Sequence, residues 1–446
     1  MSNKMDATTM TQAIRRELKP RLRFPEFQDA GEWVEIKLID VTNKKIKWSF
    51  IGGPFGSNLK SSDYVAHGIR IIQLQNIGDA QFHDDYKIFT TEQKADELLS
   101  CNIYPGEIIL SKMGDPVGRA CLIPNKHARY LMCSDGIRLV IDEQLFSKYF
   151  IYSLINSIYF RELVEKTATG STRKRIGLDD LKNLPMVVPK LKEQQKIADC
   201  LSSIDDLITA QTQKLAALKT RKKGLMQQLF PAEDETLPKL RFPEFRDAPE
   251  WDLKPLDKIC EIKGGKRIPK GFSLTNEKTD YPYVRVSDMY MGGIDTSSVL
   301  YVPSEIEKQI RNYKISKNDL FITVAGTIGI VGEVPEELDN ANLTENANKI
   351  VLKSIGKKYL LHYLTGESAQ QLISSSVTNN AQPKLALERI RLFPIPVPSP
   401  EEQQKIADSL SSIDELIIAQ TQKLDTLKTH KKALMQQLFP AIDSKE

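Results

Sequence analysis

The residues of this chain that could take part in chemistry do not form the patterns that catalysis or metal binding require. The histidines show no spacing typical of metal ligands, and the five cysteines include no C-x-x-C pair. Gly265-Lys266 is not a phosphate-binding loop, because Cys260 replaces its first glycine and Arg267 its final serine or threonine. No N-P-P-Y or D-P-P-Y turn of a methyltransferase is present. The sequence therefore predicts neither metal nor catalytic residues.

Two carboxylate-x-lysine triplets are the one fragment that resembles a nuclease site. They are Glu35-Ile-Lys37 and Glu261-Ile-Lys263. Such triplets arise by chance in a chain with 27% charged residues, so we interpret them as charges on strand edges. The alternative is a self-contained nuclease, which predicts metal-dependent cleavage by the isolated chain.

Length and charge limit the remaining function classes. The chain has 446 residues, enough for two or three domains, and 62 Lys and Arg against 58 Asp and Glu give a net charge of +4. Any nucleic-acid surface must therefore be local. There is no apolar run of about 18 residues, and the first residues lack the layout of a signal peptide. We expect a cytoplasmic protein.

An internal repeat organises the chain. Residues 193–231 and 402–440, both beginning EQQKIAD and ending MQQLFP, differ at seven of 39 aligned positions. A second repeated motif, LRFPEF followed by EW, begins at Leu22 and again at Leu240. The sequences between these repeated frames differ strongly. Near-identical frames around unlike inserts indicate that the two frames share one task and that the two inserts have different tasks.

The longer repeat has the spacing of a coiled-coil seam. Apolar residues alternate at intervals of four and three, and Gln211, Lys222, Gln420 and Lys431 complete the series. We expect two helices about 50 Å long, paired antiparallel, with Gln211 either facing Gln420 or bonded to solvent or backbone. The predicted seam comprises Ile197, Leu201, Ile204, Ile208, Gln211, Leu215, Leu218, Ile406, Leu410, Ile413, Ile417, Gln420, Leu424 and Leu427.

The inserts have the alternation of mixed α and β domains. Predicted strands lie at residues 69–75, 108–110 and 185–189 in the first insert and at 283–286, 320–324 and 393–397 in the second. Helical stretches are predicted at 148–167 and 357–372.

Together these motifs resemble the specificity subunits of type I restriction-modification enzymes. The resemblance rests on LRFPEF…EW, GPFGSNLKSSDY with IIQLQNI, GSTRKRIGLDDLKNLPMVVP and P-x-x-x-EQQKIA. It implies an α+β fold in which two long antiparallel coiled-coil helices separate two mixed α/β target-recognition domains with pseudo-two-fold symmetry. The implied domains are an extension (1–19), a first recognition domain (20–190), a central helical repeat (191–231), a second recognition domain (232–397) and a C-terminal helical repeat (398–446).

The resemblance also implies the function. The chain would be a non-catalytic reader of double-stranded DNA that recruits two methyltransferase and two restriction subunits. No cofactor is expected on this chain; S-adenosylmethionine, ATP and Mg would bind the partners. Unlike inserts predict an asymmetric bipartite target whose half-sites lie about one helical turn apart, with an unread gap of about 5 to 8 base pairs.

DNA contacts are expected from cationic and amide side chains on loops of both inserts. Lysine and arginine neutralise phosphate, glutamine and asparagine pair with adenine, and arginine pairs with guanine. The candidates in the first insert are Ser57, Asn58, Lys60, Gln73, Gln75, Asn76, Thr172, Arg173, Lys174 and Arg175. Those in the second are Lys263, Lys266, Arg267, Lys270, Arg285, Ser287, Asn379, Asn380, Gln382 and Lys384.

Repeated glutamines are the candidate contacts for partner proteins. We expect an outward position for Gln194, Gln195, Gln227 and Gln228 and for their copies Gln403, Gln404, Gln436 and Gln437. Equivalent positions on two helices suit one kind of partner bound twice. The alternatives are that these residues only keep the helices soluble, or that the chain is a coiled-coil adaptor whose inserts bind proteins without DNA specificity.

Overall fold

The fold divides into two compact units that share the two long helices. A computed structural model describes residues 18–232, 235–378 and 383–440. The first unit comprises the chain through Ala210 and the residues from Leu424 onward, and the second runs from Gln211 to Lys423. The predicted extension at 1–19 lies almost wholly outside the described residues.

The first unit contains a mixed set of short strands and helices. Its strands are β1 (Val34–Lys37), β2 (Phe50–Gly52), β3 (Tyr64–Val65), β4 (Ile69–Ile72), β5 (Ile88–Thr90), β6 (Asn102–Ile103), β7 (Ile108–Ser111), β8 (Met113–Gly114), β9 (Ala120–Leu122), β10 (Tyr130–Met132), β11 (Gly136–Leu139), β12 (Lys174–Arg175) and β13 (Pro185–Val188). Its helices are α1 (Glu92–Glu97), α2 (Lys148–Ile155), α3 (Ile158–Thr167), α4 (Leu178–Lys182) and the first part of α5 (Leu191–Leu229).

The second unit repeats this organisation. Its helices are α6 (Leu256–Ile259), α7 (Glu307–Ile310), α8 (Lys357–Thr365), α9 (Glu367–Ser375), α10 (Leu387–Arg391) and the first part of α11 (Pro400–Leu438). Its strands are β14 (Asp252–Pro255), β15 (Cys260–Gly264), β16 (Pro282–Val284), β17 (Met289–Tyr290), β18 (Gly293–Ile294), β19 (Leu300–Tyr301), β20 (Lys314–Ile315), β21 (Leu320–Thr323), β22 (Val331–Glu333), β23 (Ala341–Leu343), β24 (Ala347–Leu352) and β25 (Pro394–Val397).

The larger sheets of the two units have matching strand orders, apart from the edge strand β3 of the first unit, which has no counterpart in the described part of the second. In the described part of the first unit the larger sheets run β2-β11-β7-β9 and β3-β5-β4-β10-β6, and in the second they run β15-β24-β21-β22 and β19-β16-β23-β20. The single parallel pairing in each larger set joins equivalent strands, β4 with β10 and β16 with β23. Both units also close their recognition domain with an antiparallel pair, β1 with β13 and β14 with β25.

In each unit, one glycine after the edge strand of the first sheet lies in very close contact with the backbone of a neighbouring turn. The amide of Gly53 donates to Gly136 O at 2.8 Å, and that of Gly265 donates to Ala347 O at 3.1 Å. A Cβ atom would lie 1.7 Å from the carbonyl oxygen of Cys133 at the first position and 2.1 Å from that of Thr344 at the second. Only glycine therefore fits at either position.

Several predicted elements are shorter in the structure than the hydrophobic pattern indicates. The prediction for residues 69–75 is wrong beyond Ile72, and that for 283–286 is wrong beyond Val284, because short 3-10 turns follow both strands. The helix predicted at 148–167 is two helices, since Ser157 accepts from Phe160 N and starts a new one. The stretch predicted at 357–372 is also two helices, which Gly366 separates, and the second of them continues to Ser375.

A buried glutamate at the start of α5 holds the first unit together. Glu193 is 2% exposed and accepts from Arg23 Nε and Nη2, both at 2.8 Å, and from Trp33 Nε1 at 3.2 Å. Leu22 N also donates to Gln437 O in the last turn of α11. The LRFPEF…EW motif thus ties the beginning of one long helix to the end of the other.

The second unit repeats this anchor residue for residue. Glu402, at the start of α11, accepts from Arg241 Nε and Nη2 at 2.8 Å and from Trp251 Nε1 at 3.1 Å. Leu240 N donates to Gln228 O near the end of α5. Because these groups account for both repeated motifs, near-identity of the frames is explained by a shared structural task.

Two of the glutamines predicted to face outward are instead buried, which corrects the expectation for Gln194 and Gln403. Gln194 accepts from Ser147 N at 2.9 Å and donates to Pro189 O at 2.8 Å. Gln403 accepts from Gly356 N at 2.8 Å and donates to Pro398 O at 2.9 Å. Each side-chain amide forms the hydrogen bonds that backbone groups need where a helix of the recognition domain begins. Neither amide is therefore free to bind a partner.

The two long helices pair antiparallel through polar as well as apolar contacts. Both have 39 residues, which corresponds to a length of about 58 Å. In the second unit Gln420 Nε2 donates to Gln211 Oε1, and Lys222 lies 2.6 Å from Asp414. In the first unit Lys431 lies 2.6 Å from Asp205. The polar positions of the seam therefore carry specific bonds that fix the register.

The seam residues near the helix starts pack into the recognition-domain cores. Ile197 and Leu201 belong to the core of the first unit, which also contains Leu438 and Phe439. Ile406 and Leu410 belong to the core of the second. In the middle of the seams, Gln420 and Leu424 are buried, and the other seam residues are half-buried, namely Ile208, Gln211, Leu215, Leu218, Ile417 and Leu427.

A buried histidine distinguishes the helix pair of the second unit. His362 is 3% exposed, its Nε2 lies 3.2 Å from Ser411 Oγ, and its Nδ1 lies 3.9 Å from Asp414. Burial, and after it the charge of Lys222, lowers the pKa of His362 from 6.5 to about 4, against the opposing effect of Asp414. Lys358 and Glu333 are the other charged groups that act on it.

Removing the arginine of one anchor should destabilise its unit strongly. Arg23→Ala leaves the Glu193 carboxylate buried and unpaired, so we expect the free energy of unfolding to fall by about 3 to 5 kcal/mol. Urea unfolding measures it. Lys196→Ala is the matched control, because its pair with Glu26 is about half-exposed and surface pairs of this kind contribute little to stability. Equal losses in the two variants would contradict the anchor.

The stability of the fold should decrease as the pH is lowered, because of His362. Its pKa is lower in the folded chain, so the unfolded chain binds more protons between about pH 6.5 and pH 4 and stability decreases as the pH falls through that window. The shift corresponds to about 3 kcal/mol. His362→Gln should remove this part of the pH dependence, whereas His430→Gln, on an exposed position of α11, should keep it. An unchanged pH profile in His362→Gln would contradict the prediction.

Candidate nucleic-acid interface

A polar hollow of about 320 Å³ opens on the first recognition domain. It lies between the loop after β2, the end of β4, the turn from β10 to β11 and the segment before β12. Three predicted DNA-binding residues, Gln73, Gln75 and Arg173, line it, together with Ser134 and Asp135. The fold therefore gathers candidates that are up to 100 residues apart in sequence.

The residues after β4 divide into two roles. Gln73 Nε2 donates to Tyr64 Oη at 3.2 Å, and Gln75 is exposed. Asn76, in contrast, is fully buried: its Oδ1 accepts from Gln73 N at 2.9 Å, and its Nδ2 donates to His83 O and Tyr86 O. The prediction that Asn76 contacts DNA is therefore wrong, because its amide already holds the turn that presents Gln73 and Gln75.

The loop after β2 carries exposed polar side chains beside the hollow. Ser57, Asn58 and Lys60 all face solvent. Asp63 Oδ2 accepts from Lys60 N at 2.7 Å and so shapes the turn that follows. Phe55, at the tip of this loop, is 83% exposed. An exposed aromatic ring among polar groups is suited to stacking on or wedging against bases.

The basic segment that leaves the domain is partly fixed by ion pairs. Thr172 and Arg173 are exposed. Lys174 Nζ lies 2.6 Å from Glu165 Oε1, and Arg175 Nη2 lies 3.4 Å from Asp135 Oδ1. Both residues form β12, which pairs with β8. Arg173 and Arg175 are thus the more accessible cations, with Lys174 engaged by a neighbouring helix.

The second unit has a basic loop after β15, the strand that corresponds to β2 of the first unit. Lys266, Arg267 and Lys270 follow β15 and are exposed. Lys263, on β15 itself, is also exposed, and its Nζ lies 3.0 Å from Glu261 Oε2. Lys266 Nζ lies 5.6 Å from the centre of the Tyr313 ring. Arg267 Nε binds Glu345 Oε1.

The residues after β16 repeat the turn seen after β4, with different side chains. Arg285 N donates to Asp288 Oδ2 at 2.8 Å, which matches the bond from Gln73 N to Asn76. The Arg285 guanidinium also binds the buried Asp288 and Ser298 O, while Ser287 is exposed. Lys384 is exposed, and its amide donates to Thr378 Oγ1. Asn379, Asn380 and Gln382 lie outside the described residues.

The electrostatics of these surfaces favour binding over nucleophilic chemistry. Burial raises the pKa of the Cys133 thiol at the wall of the hollow, so it stays protonated at neutral pH. Partial burial also raises the pKa of the Glu345 carboxyl, but the hydrogen bond from Arg267 outweighs it together with smaller contributions, so this pKa lies below its ordinary value. Within residues 18–232, 235–378 and 383–440, no group of three or more His, Cys, Asp or Glu is placed to hold a metal ion.

Family comparison agrees with this geometry. The family model described as "Type I restriction modification DNA specificity domain" matches residues 32–220 and 249–429, one match for each repeat. The chain belongs to this specificity family. Both matches extend from a recognition domain well into the long helix that follows it.

Similar proteins carry the same description. A type I restriction enzyme MjaVIII specificity subunit from Methanocaldococcus jannaschii is 25% identical over 302 residues, which cover 65% of this chain and 69% of the relative. The MjaIX specificity subunit from the same organism is 24% identical over 365 residues, covering 78% and 80%.

Solved structures show the same fold. The crystal structure of a type I restriction-modification system S subunit from M. genitalium is similar with a TM-score of 0.58 and 18% identity, covering 95% of this chain and all of that one. A chain from a structure that describes complex assembly and conformational transition of the type I R-M system has a TM-score of 0.54 and 14% identity, covering 91% and 97%. Among the described residues of this specificity-family chain, no helix is both long and apolar enough to cross a membrane.

Sequence reasoning missed four residues of these surfaces, namely Phe55, Ser134, Asp135 and Glu345. A signal for Phe55 exists, because an aromatic residue between glycines in G-P-F-G is rarely a core residue. Asp135 and Glu345 lie in turns whose sequences, CSDG and TENA, differ too much to be aligned without the backbone.

Two neighbouring side chains should separate a structural role from a recognition role. Asn76→Ala leaves the groups it bonds unpaired, so we expect a loss of about 1 to 3 kcal/mol in the free energy of unfolding. Gln75→Ala should leave stability within about 0.5 kcal/mol and weaken DNA binding. Urea unfolding and DNA titration of both variants, in the assembled complex, measure the difference. Loss of stability in Gln75→Ala with none in Asn76→Ala would contradict the assignment.

Proposed function

We propose that this chain is the DNA-recognition subunit of a type I restriction-modification complex, and that it reads an asymmetric bipartite duplex. Each recognition domain would read one half-site. The observation that carries the proposal is that both domains have the same backbone frame but different solvent-accessible side chains at equivalent positions. Gln73 and Gln75 correspond to Arg285 and Ser287, as the matching turns after β4 and β16 indicate.

Equivalent positions with different hydrogen-bonding groups are what reading two different half-sites requires. Glutamine pairs with adenine through a donor and an acceptor, whereas arginine offers only donors and pairs with guanine. A protein-binding adaptor would not need the basic loops that flank both turns. These loops suit the phosphate backbone, whose contacts position a protein on DNA.

The long helices would act as a ruler between the half-sites. Their polar contacts, Gln211 with Gln420, Lys222 with Asp414 and Lys431 with Asp205, give the pair one register. A fixed register implies a fixed number of unread base pairs. The half-sites would lie about one helical turn apart, with a gap of about 5 to 8 base pairs.

The helices would also recruit partner subunits. Leu207 and Leu416 occupy equivalent positions of α5 and α11 and are each about half-exposed. Gln195, Gln228, Gln404 and Gln437 remain exposed at matching places. Equivalent surfaces suit two copies of one methyltransferase subunit, with two restriction subunits bound beyond them.

Catalysis and cofactors would belong to those partners. The methyltransferase subunits would bind S-adenosylmethionine and methylate adenine, and the restriction subunits would bind ATP and Mg. This chain would contribute target choice alone and would work in the cytoplasm.

The test is to map methylation made by the complex. The full chain is co-expressed with its methylating partner in a host without adenine methylation, and modified adenines are located by single-molecule sequencing. We expect one asymmetric bipartite motif. Unmodified DNA, with both proteins soluble and co-eluting, would contradict DNA reading and favour the adaptor.

Helix length should set the gap and nothing else. Inserting seven residues at equivalent places in α5 and α11 keeps the heptad phase and adds about 10 Å, so we expect a gap longer by about 3 base pairs. The same sequencing measures it. Seven alanine substitutions at exposed helix positions are the control. A half-site whose sequence changed with helix length would contradict the ruler.

A further inference from the structure

Each recognition domain presents an arginine beside a carboxylate on its exposed polar surface. In the first, Arg175 Nη2 lies 3.4 Å from Asp135 Oδ1, and the side chains are 54% and 21% exposed. In the second, Arg267 Nε binds Glu345 Oε1, and the side chains are 78% and 29% exposed. Both arginines keep several donors open to solvent.

The first pair is held by rigid backbone on both sides. Lys112 N donates to Asp135 O at 2.7 Å, and Ile176 N donates to Lys112 O at 3.0 Å, so a single residue between β7 and β8 connects the two. Arg175 and Thr169 also exchange two backbone bonds, of 2.8 and 2.9 Å. The backbone segments that carry the two side chains are therefore held next to each other by the fold.

The carboxylates of the two pairs come from the same turn of the shared frame. Cys133 N donates to Ile72 O at 2.9 Å, and Thr344 N donates to Val284 O at 3.1 Å. Cys133 therefore corresponds to Thr344, and Ser134 corresponds to Glu345. Asp135 lies one residue later in the same turn. The arginines come from different loops, so the two domains reach a similar pair by different routes.

Two further arginine pairs of the recognition domains differ from these, because at least one of their side chains is buried. Arg138 and Glu107 are 5% and 15% exposed. Asp288, the partner of Arg285, is fully buried and also caps the turn through its bond from Arg285 N. The accessible pairs are those in which both side chains remain reachable from solvent beside the basic loops.

A carboxylate on a DNA-facing surface needs an explanation, because it repels phosphate and weakens sequence-independent binding. In the major groove, a carboxylate accepts from the N4 amino group of cytosine, and arginine donates two bonds to O6 and N7 of guanine. An arginine with an adjacent carboxylate therefore complements both edges of one G·C pair.

We propose that the Arg175 and Asp135 pair and the Arg267 and Glu345 pair each read one G·C base pair, one in each half-site. The inference rests on the proposed function and adds the base pair that each domain recognises. Each of the two half-sites must then contain at least one G·C pair whose recognition depends on these side chains.

The test compares methylation motifs of variant complexes with that of the native complex. Asp135→Ala removes the acceptor for cytosine N4 and Arg175→Ala removes the donors to guanine, so each should relax one G·C position of one half-site. Discrimination there should fall about 10-fold or more, and the other half-site should stay unchanged. Glu345→Ala and Arg267→Ala should do the same in the other half-site. Co-elution with the methylating partner verifies that each variant is folded.

Matched controls come from exposed ion pairs elsewhere in each unit. Arg129→Ala and Asp96→Ala in the first unit, and Arg391→Ala and Glu388→Ala in the second, should leave the motif unchanged. A native half-site without a G·C pair, or variants that lose methylation equally at all sequences, would overturn the inference while the bipartite motif stands. A native complex with no bipartite motif would overturn the proposed function as well.

Discussion

The buried carboxylate at the start of each long helix is the interaction on which the rest of the structure depends. Glu193 joins the arginine and the tryptophan of one LRFPEF…EW motif to the start of α5. Glu402 joins those of the other motif to the start of α11. A carboxylate in this environment is tolerated only while its partners stay in place. The anchor therefore fixes where a recognition domain begins and leaves the surface of that domain free to vary.

That separation of frame and surface explains how one fold can carry two different readers. The bonds that shape the turns after β4 and β16 are equivalent, and the glycines at 53 and 265 make the same close approach. Side chains that project from these turns differ between the units in charge and in hydrogen-bonding groups. Because the frame bonds use backbone atoms and buried side chains, exposed positions can change without loss of the fold.

Much of this organisation could be predicted from the sequence, and the reasons for the failures are physical. The heptad spacing predicted two long helices and placed Gln211 and Gln420 at one position of the seam, where the structure has them in contact. Burial of Asn76, Gln194 and Gln403 could not be predicted, since an amide on a loop or a helix surface has the same sequence signature whether it bonds solvent or a distant backbone. The pairing of Arg175 with Asp135 depends on strand register, which short strands of few residues do not specify.

The central claim is that the inserts choose the target and the frames do not. Its most direct test is a chain in which residues 34–188 are replaced by a second copy of residues 252–397, so that the exchange is made at the closing pairs β1 with β13 and β14 with β25. Methylation by the assembled complex is then mapped by sequencing. The account predicts a palindromic motif in which the second half-site of the native target occurs twice in inverted orientation. Retention of the native asymmetric motif would contradict it.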